Sequence, residues 1–200
     1  MDETAEKRRS IGARRNPQTQ EAVLAAAEAI LIEAGLAGFS IEAVARKARA
    51  GKPTIYRWWP NKTALLLDVY QHRKPPTVHA DTGNIEKDVE LFLTRLLAHW
   101  RHDGAGEVFR VILAEAQRDA EASKGLQAYA EERRRQTGAM FERAIARGEL
   151  GEDIDPFLAA EMLSGLAWQR LLTGRLDMPA EEIRAAARQL VRGLTAPAHK

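Results

Sequence analysis

The chain has 200 residues, of which 45% are apolar and 29% are charged, with a net charge of +2 and no cysteine. This composition is typical of a globular protein with a substantial core, and it excludes a largely disordered chain, a disulfide framework and a cysteine-based zinc site. No stretch approaches about 18 uncharged apolar residues, and no continuous apolar segment follows the N-terminus, so we expect neither a membrane span nor a secretory signal. We therefore expect a cytoplasmic protein.

The small net charge hides an asymmetry along the chain. Residues 1–63 carry 11 basic and 7 acidic side chains, a balance of +4, whereas the remainder carries 19 basic and 21 acidic side chains, a balance of −2. A basic N-terminal part on a slightly acidic larger body indicates that the first part meets a polyanion.

Apolar side chains recur at steps of three and four along most of the chain, which predicts an all-α fold of about nine helices. Residues 16–73 are predicted to hold four of them. Pro17 begins the first helix and Gly35 ends it, Ser40 caps a short second helix, and a third short helix fits Lys52–Trp58.

Residues 74–84 contain two prolines and a glycine and are predicted to form the boundary to a larger helical region. Within that region, Phe157–Leu172 contains only two charged side chains and is apolar nearly all round, so it has to be covered on more than one side. We expect a basic N-terminal arm over residues 1–15, a small helical domain over residues 16–73, and a larger helical domain over residues 74–200.

The second and third predicted helices are separated by a three-residue turn, Arg49-Ala50-Gly51. That spacing indicates a helix-turn-helix, in which the second helix enters a major groove. The segment Lys52–Trp59 mixes hydrogen-bond donors, cations and aromatic rings around one inward aliphatic residue, Ile55. The alternative is a solvated amphipathic turn whose aromatic residues are incidental.

Two further basic features fit a polyanionic partner. Lys62 lies in the first turn of the predicted fourth helix, where the helix dipole disfavours a cation unless a phosphate occupies the site; the alternative is an exposed lysine tolerated at small cost. The basic arm Lys7–Arg15 either contacts a minor groove or phosphates, or is a solvated tail.

The segment from Arg14 to Tyr70 resembles the DNA-binding domain of the TetR family of bacterial transcriptional regulators. The similarity is most specific over the run KPTIYRWWPNKTALL, Lys52 to Leu66. It implies a homodimer on a palindromic operator of double-stranded DNA. It also implies that seven residues take part in DNA binding, as phosphate or base contacts: Ser40, Lys52, Pro53, Thr54, Tyr56, Arg57 and Lys62. Arg49, in the turn beside them, is an eighth candidate by its position.

The sequence departs from the family pattern in the turn. The family usually has a glycine where this chain has Arg49, and a serine or threonine where it has Gly51. Glycine is favoured there because the turn residue tends to take a positive φ. Either the turn is reshaped in this chain or Arg49 bears the strain, and Arg49 could also contact a phosphate.

The region beyond residue 74 is similar to the family's ligand-binding and dimerisation domain. In the family the last two helices of each subunit form a four-helix bundle across a two-fold axis, which implies nine candidate interface residues: Phe157, Leu158, Gly165, Ala167, Leu171, Leu172, Ile183, Leu190 and Leu194. The alternative is a helix buried only within its own domain. The resemblance also implies a pocket for a small-molecule effector, with seven candidate wall residues, although for each one plain core is the more common role: Trp100, Phe109, Tyr129, Met140, Phe141, Met162 and Trp168.

No catalytic constellation is found. His99 and His102 lie three residues apart, but no nearby acid completes a convincing metal site with them, and neither a phosphate-binding glycine loop nor a nucleophile elbow is present. Arg133-Arg134-Arg135 is predicted to be a solvated helix face. We therefore expect no enzyme, no metal and no cofactor, but a ligand-responsive DNA-binding regulator, most simply a repressor. The alternative is a helical small-molecule-binding module without promoter control.

Overall fold

The computed structural model describes residues 17–73, 79–102 and 104–195. The basic arm Lys7–Arg15 lies outside these residues. The described part is all-α, as the sequence predicted, and it holds nine helices: α1 (Pro17–Gly38), α2 (Ile41–Ala48), α3 (Lys52–Trp58), α4 (Lys62–Arg73), α5 (Ile85–Arg101), α6 (Ala105–Ala116), α7 (Ala120–Ala146), α8 (Pro156–Leu172) and α9 (Ala180–Thr195).

Local side-chain chemistry sets the helix boundaries. The Ser40 hydroxyl accepts a hydrogen bond from the Ala43 amide at 3.1 Å and caps α2. The Asp155 carboxylate caps α8 by accepting from the amides of Phe157 and Leu158. Gly35, the predicted end of the first helix, has φ 61° and interrupts α1 before the helix closes at Gly38.

The chain divides into two compact units, the first ending at Lys62 and the second beginning at Thr63. This division falls earlier than the predicted domain boundary at 73/74, because the body of α4 packs into the larger unit. The Tyr70 ring of α4 stacks on Phe109 of α6 with ring centroids 4.7 Å apart.

The first unit is a small helical cluster in which α1 packs on α2 and α2 packs on α3. Its core contains Val23, Ala27, Val44 and Ile55, all fully buried. Burying a side chain as large as that of Val or Ile contributes about 1.5–3 kcal/mol, which helps to hold α3 on α2 despite its short length.

In the second unit α7 packs on α8, α5 on α9 and α6 on α7. The α7–α8 contact is close at Gly138, where an added Cβ would lie 2.7 Å from Cδ1 of Phe157. Glycine is therefore required there by the approach of the aromatic ring. Across the described ranges, every helix is too short or too polar to cross a bilayer.

Candidate functional site

The turn between α2 and α3 is built on a strained arginine. Arg49 has φ 51° and ψ 37°, and in the described part of the chain it is the one residue other than glycine with a positive φ. Its amide closes α2 by bonding the carbonyls of Ala45 and Arg46. The left-handed conformation costs a residue with a Cβ about 1–2 kcal/mol. Of the two alternatives left by the sequence, the structure has Arg49 bear the strain.

Gly51 occupies a position that does not need a glycine. It precedes α3 in an extended conformation with φ −67°, and no side chain caps the helix there. A Cβ at Gly51 would meet its nearest neighbours, Pro53 and Thr54, at 3.8 Å or more. Backbone geometry would favour glycine at position 49 and a residue with a Cβ at position 51, and this chain has the reverse.

The inner and outer faces of α3 differ sharply. Ile55 is fully buried, and Trp58 and Trp59 are buried beside it and contact each other edge to face with centroids 5.7 Å apart. These rings anchor the helix, so they belong to the core rather than to the surface. The outer face presents Lys52, Pro53, Tyr56 and Arg57 to solvent, with Thr54 half-buried at its edge.

Two of the outward cations are positioned by neighbours within the same unit. The ammonium group of Lys52 lies 2.9 Å from the Glu42 carboxylate of α2, and this hydrogen bond lowers the pKa of Glu42. Both side chains are about half exposed, so the pair is screened by water and a phosphate could replace the carboxylate. The Arg57 guanidinium lies 5.8 Å from the centroid of the Trp58 ring.

Lys62 is the first residue of α4, and its ammonium group lies 5.5 Å from the centroid of the Phe39 ring. Phe39 is buried and directly precedes Ser40, the cap of α2. The aromatic face holds an exposed cation close to the N-terminal amides of a helix. This combination suits an anionic group such as a DNA phosphate.

The second unit contains a cavity of about 480 Å³ between α5, α7 and α8. That volume falls within the range of small-molecule sites, and the walls are mainly aromatic and aliphatic. The lining comprises Phe92, Leu96, Trp100, Gln127, Tyr129, Ala130, Glu131, Arg133, Arg134, Thr137, Ala160, Glu161, Ser164, Gly165 and Trp168.

The structure brings three of the seven proposed wall residues together in this cavity: Trp100, Tyr129 and Trp168. Phe109 is not part of the lining; it is fully buried behind the wall and contacts all three of these rings. The remaining assignments are corrected. Met140 and Phe141 are fully buried but lie outside the lining, one turn beyond Thr137 along α7, and Met162 is 53% exposed on the surface of α8.

Buried hydroxyl groups lie behind the aromatic wall. The Trp100 indole N–H donates to the Tyr70 hydroxyl at 2.8 Å, and the Tyr129 hydroxyl hydrogen-bonds to that of Tyr70. Burial raises the pKa of Tyr70 to about 12 and raises the pKa of Tyr129 well above its usual value. Both phenols therefore stay protonated at neutral pH.

The prediction that Arg133-Arg134-Arg135 forms a solvated face is wrong for two of the three residues. Arg133 and Arg134 line the cavity, and only Arg135 lies on the solvent side, paired with Glu132. The signal that could have revealed this is helical spacing, because Tyr129, Arg133 and Thr137 follow one another at steps of four. The other polar residues of the lining carry no comparable signal.

The proposed interface residues divide between the two faces of α8 and α9. Leu158 and Leu172 are 54% and 59% exposed, and Gly165 lies on the same open face with Met162. Phe157, Leu190 and Leu194 are half-buried. Three assignments are corrected, because the protomer already buries the side chains and leaves nothing for a partner to contact: Ala167, Leu171 and Ile183.

A small helical unit with a helix-turn-helix, followed in the chain by a helical unit with a cavity, defines a DNA-binding regulator. Comparison with known proteins identifies its family. Residues 23–69 match the family model described as bacterial regulatory proteins, tetR family. Residues 79–190 match the model described as tetracyclin repressor-like, C-terminal domain.

Two similar proteins are named as regulators of transcription. The HTH-type transcriptional regulator YdeS of Bacillus subtilis (strain 168) is 29% identical over 163 residues, which cover 80% of this chain and 82% of YdeS. The DNA-binding transcriptional repressor TetR of Mycobacteroides abscessus (strain ATCC 19977) is 31% identical over 175 residues, 78% and 84% of the two chains.

A solved structure shows the same architecture. The TetR family transcription regulator SCO0332 superposes with a TM-score of 0.77 and 28% identity, covering 88% of this chain and 98% of that one. The chain therefore belongs to the TetR family and is a helix-turn-helix transcriptional regulator that binds DNA. The relatives it matches are named as regulators of transcription.

Proposed function

We propose that this regulator is a cytoplasmic repressor, which holds a palindromic operator as a homodimer and releases it when a small molecule enters the cavity between α5, α7 and α8. The observation that carries the DNA-binding part is the outer face of α3. That helix is anchored from beneath by Ile55, Trp58 and Trp59, while every side chain on its outer face can donate to or pack against a duplex.

The DNA contacts divide by chemistry. Tyr56, Lys62 and the Ser40 hydroxyl are suited to phosphate oxygens, which position a protein but carry no sequence information. Lys52 and Thr54, at the N-terminal end of α3, are the candidates for base edges, since the first residues of a recognition helix reach deepest into the major groove. Arg57, Pro53 and Arg49 complete the proposed contact surface.

The proposed dimer interface is the exposed apolar face of α8. Leu158, Met162 and Leu172, three large apolar side chains each more than half exposed, recur along one side of this helix. Exposed apolar groups of this size on one face of a helix mark a surface that is covered by a partner. A second copy is the simplest occupant, because a two-fold axis places the same face on both sides of the contact and two recognition helices roughly 34–36 Å apart.

The proposed effector site is linked along the chain to the proposed DNA contact Lys62 by α4. α4 begins with Lys62 and carries Tyr70, whose hydroxyl is bonded to the cavity-lining residues Trp100 and Tyr129. A ligand that binds better when these bonds are rearranged changes the position of α4 by its differential affinity for the two states.

Selection of bound sequences from random double-stranded DNA tests the proposal. The full chain is expected to enrich a palindrome, and the double variant Tyr56→Ala, Lys62→Ala is expected to enrich nothing. Lys87→Ala is the control. Lys87 is an exposed lysine of α5, in the second unit, and it pairs with Glu90 of the same helix. If the double variant selects the same sequences as the unmodified chain, DNA is bound elsewhere.

The cavity by itself also suits a helical module that binds a small molecule without controlling a promoter. Such a module would bind its ligand but select no operator. The selection experiment separates the two functions, because only the regulator enriches a defined sequence.

A further inference from the structure

The walls of the cavity between α5, α7 and α8 favour a flat apolar ligand. Trp100, Tyr129 and Trp168 present rings to the space, and Phe109 fixes their orientations from behind by stacked and edge-to-face contacts at 5.5–5.9 Å between centroids. Rings held in this way give the cavity aromatic walls against which an aromatic body can pack.

The two arginines that line the cavity differ in whether they form ion pairs. Arg134 lies 3.2 Å from the Glu131 carboxylate and 3.2 Å from that of Glu161, so one guanidinium engages both acids. Both glutamates are more than half exposed, which places them at the solvent side of the cavity. The charge of Arg134 is therefore paired without a ligand, although its Nε atom, like that of Arg133, is buried without a hydrogen-bond acceptor.

Arg133 has no such partner. Its guanidinium lies 5.5 Å from the centroid of the Tyr129 ring and forms no ion pair with any residue that the structure describes. Its Nε atom is fully buried and lacks a hydrogen-bond acceptor. A buried donor on a charged group is costly to leave unpaired, and an acceptor from a ligand would satisfy it.

We infer that the effector of this regulator is an aromatic organic anion, whose ring system packs against the aromatic walls at Trp100 and Trp168 and whose carboxylate pairs with Arg133. The inference rests on the proposed function, since it names the chemical class of ligand for the same cavity. Arg133 acts as the ligand's counter-ion, and its planar fork suits the two oxygens of a carboxylate.

The test compares carboxylates with their neutral amides in the full-length protein. Benzoate, 2-naphthoate and 9-anthroate differ in size, and each has a carboxamide of nearly the same shape. Isothermal titration measures the affinity of each pair for the unmodified chain and for Arg133→Met, Arg133→Lys and Arg135→Met. The last variant is the matched control, because Arg135 lies on the same helix but faces solvent.

At least one carboxylate is expected to bind roughly 10- to 100-fold more tightly than its amide, as the loss of a charged hydrogen bond implies. Arg133→Met is expected to remove that preference, Arg133→Lys to keep part of it, and Arg135→Met to keep all of it. The inference is overturned if no carboxylate outperforms its amide in the unmodified chain, if Arg133→Met retains the preference, or if arylammonium ions bind more tightly.

Operator release is measured in parallel by gel shift on the selected sequence, which separates this inference from the proposed function. Release by neutral aromatic ligands alone would leave the regulator intact and overturn the anionic class. Carboxylate binding through Arg133 without release would support the charge pairing and contradict the proposed effector response.

Discussion

The indole Nε1 of Trp100 donates a buried hydrogen bond of 2.8 Å to the hydroxyl of Tyr70, joining α5 to α4. Both side chains are almost fully buried, at 4% and 2% exposure, so neither group can turn to water if the other is removed. Trp100 also lines the cavity, and Tyr70 lies on the helix that begins with Lys62. One hydrogen bond therefore links the wall of the ligand site to α4.

The variant Tyr70→Phe is expected to lower the free energy of unfolding by about 1–3 kcal/mol, because it leaves the Trp100 N–H buried without an acceptor. Urea unfolding measures the change. Tyr56→Phe is the control, since the Tyr56 side chain is 46% exposed and its loss of a hydroxyl should change stability by less than about 0.5 kcal/mol. Equal effects of the two variants would contradict a role for the hydrogen bond.

The variant Tyr70→Phe also tests how the free energy of unfolding depends on pH. Burial raises the pKa of Tyr70 from 10.0 to about 12, so its contribution to stability is complete below pH 10. Between pH 10 and 12 the unfolded chain releases the phenol proton while the folded chain retains it, and stability falls as the pH rises. Tyr70→Phe should show a shallower fall over this interval, with Tyr129 supplying a fall in the same direction in both proteins. Parallel curves would be inconsistent with the raised pKa.

The variant Arg49→Gly should fold more stably and bind DNA more weakly. Glycine relieves the left-handed strain, which we expect to raise the free energy of unfolding by about 1 kcal/mol, while the lost guanidinium removes a proposed phosphate contact. Arg49→Ala separates the two effects, because it loses the charge but keeps the strain. Urea unfolding and gel shift measure them. A less stable Arg49→Gly protein would refute the strain, and unchanged affinity would remove Arg49 from the interface.

The variant Lys62→Ala is expected to weaken binding to the operator and to random DNA by similar factors, because a phosphate contact carries no base information. The slope of log affinity against log salt concentration should become shallower by about one per subunit. The control variant Lys87→Ala, at an exposed lysine of α5, should leave both quantities unchanged. An unaltered slope for Lys62→Ala would place this side chain away from the phosphates.

Changes at Lys52 and Thr54 should alter which base pairs are tolerated, with about 1–3 kcal/mol of discrimination lost at each position contacted. Repeating the selection with Lys52→Ala and with Thr54→Ala measures this. Glu42→Gln removes the ion-pair partner of Lys52 without touching α3, so it should select the same sequences as the unmodified chain. If both α3 variants also rank sequences identically, the operator is read through the arm or through DNA shape.

Adjacent leucines of α8 should respond to a charge in opposite ways. Leu172→Glu places a carboxylate on the exposed face and should yield a folded monomer, costing several kcal/mol in association if the site is desolvated in the dimer. Leu171 is fully buried within the protomer, so Leu171→Glu should unfold the chain instead. Light scattering and circular dichroism distinguish these outcomes. The interface lies elsewhere if charged variants at Leu158, Met162 and Leu172 all remain dimeric.

Local chemistry made the helices predictable. Ser40 and Asp155 cap helices through hydrogen bonds to amides two or three residues away, and Gly35 takes its positive φ within the helix it interrupts. Such interactions are present in any short window of sequence. The family resemblance from Arg14 to Tyr70, most specific between Lys52 and Leu66, supplied the candidate DNA contacts. At Arg49 the sequence left two alternatives, a reshaped turn or strain, and the structure has the strain.

Long-range packing could not be predicted in the same way. α8 is apolar nearly all round, so periodicity cannot distinguish the buried Leu171 from the exposed Leu172. Three successive arginines on α7 are typical of a solvated face, and only the packing of α8 against α7 encloses Arg133 and Arg134. The assignment of α4 to the larger unit likewise depends on contacts of Tyr70 with residues far along the chain.

The positions of the tryptophans allow intrinsic fluorescence to report on each unit separately. The chain has four, of which Trp58 and Trp59 lie beneath α3 while Trp100 and Trp168 line the cavity. Indole emission depends on the immediate surroundings of the ring, so each pair responds to events in its own unit. A chain that keeps only Trp100 and Trp168 would report occupancy of the cavity, and one that keeps only Trp58 and Trp59 would report the state of the recognition helix, with no dye attached to either.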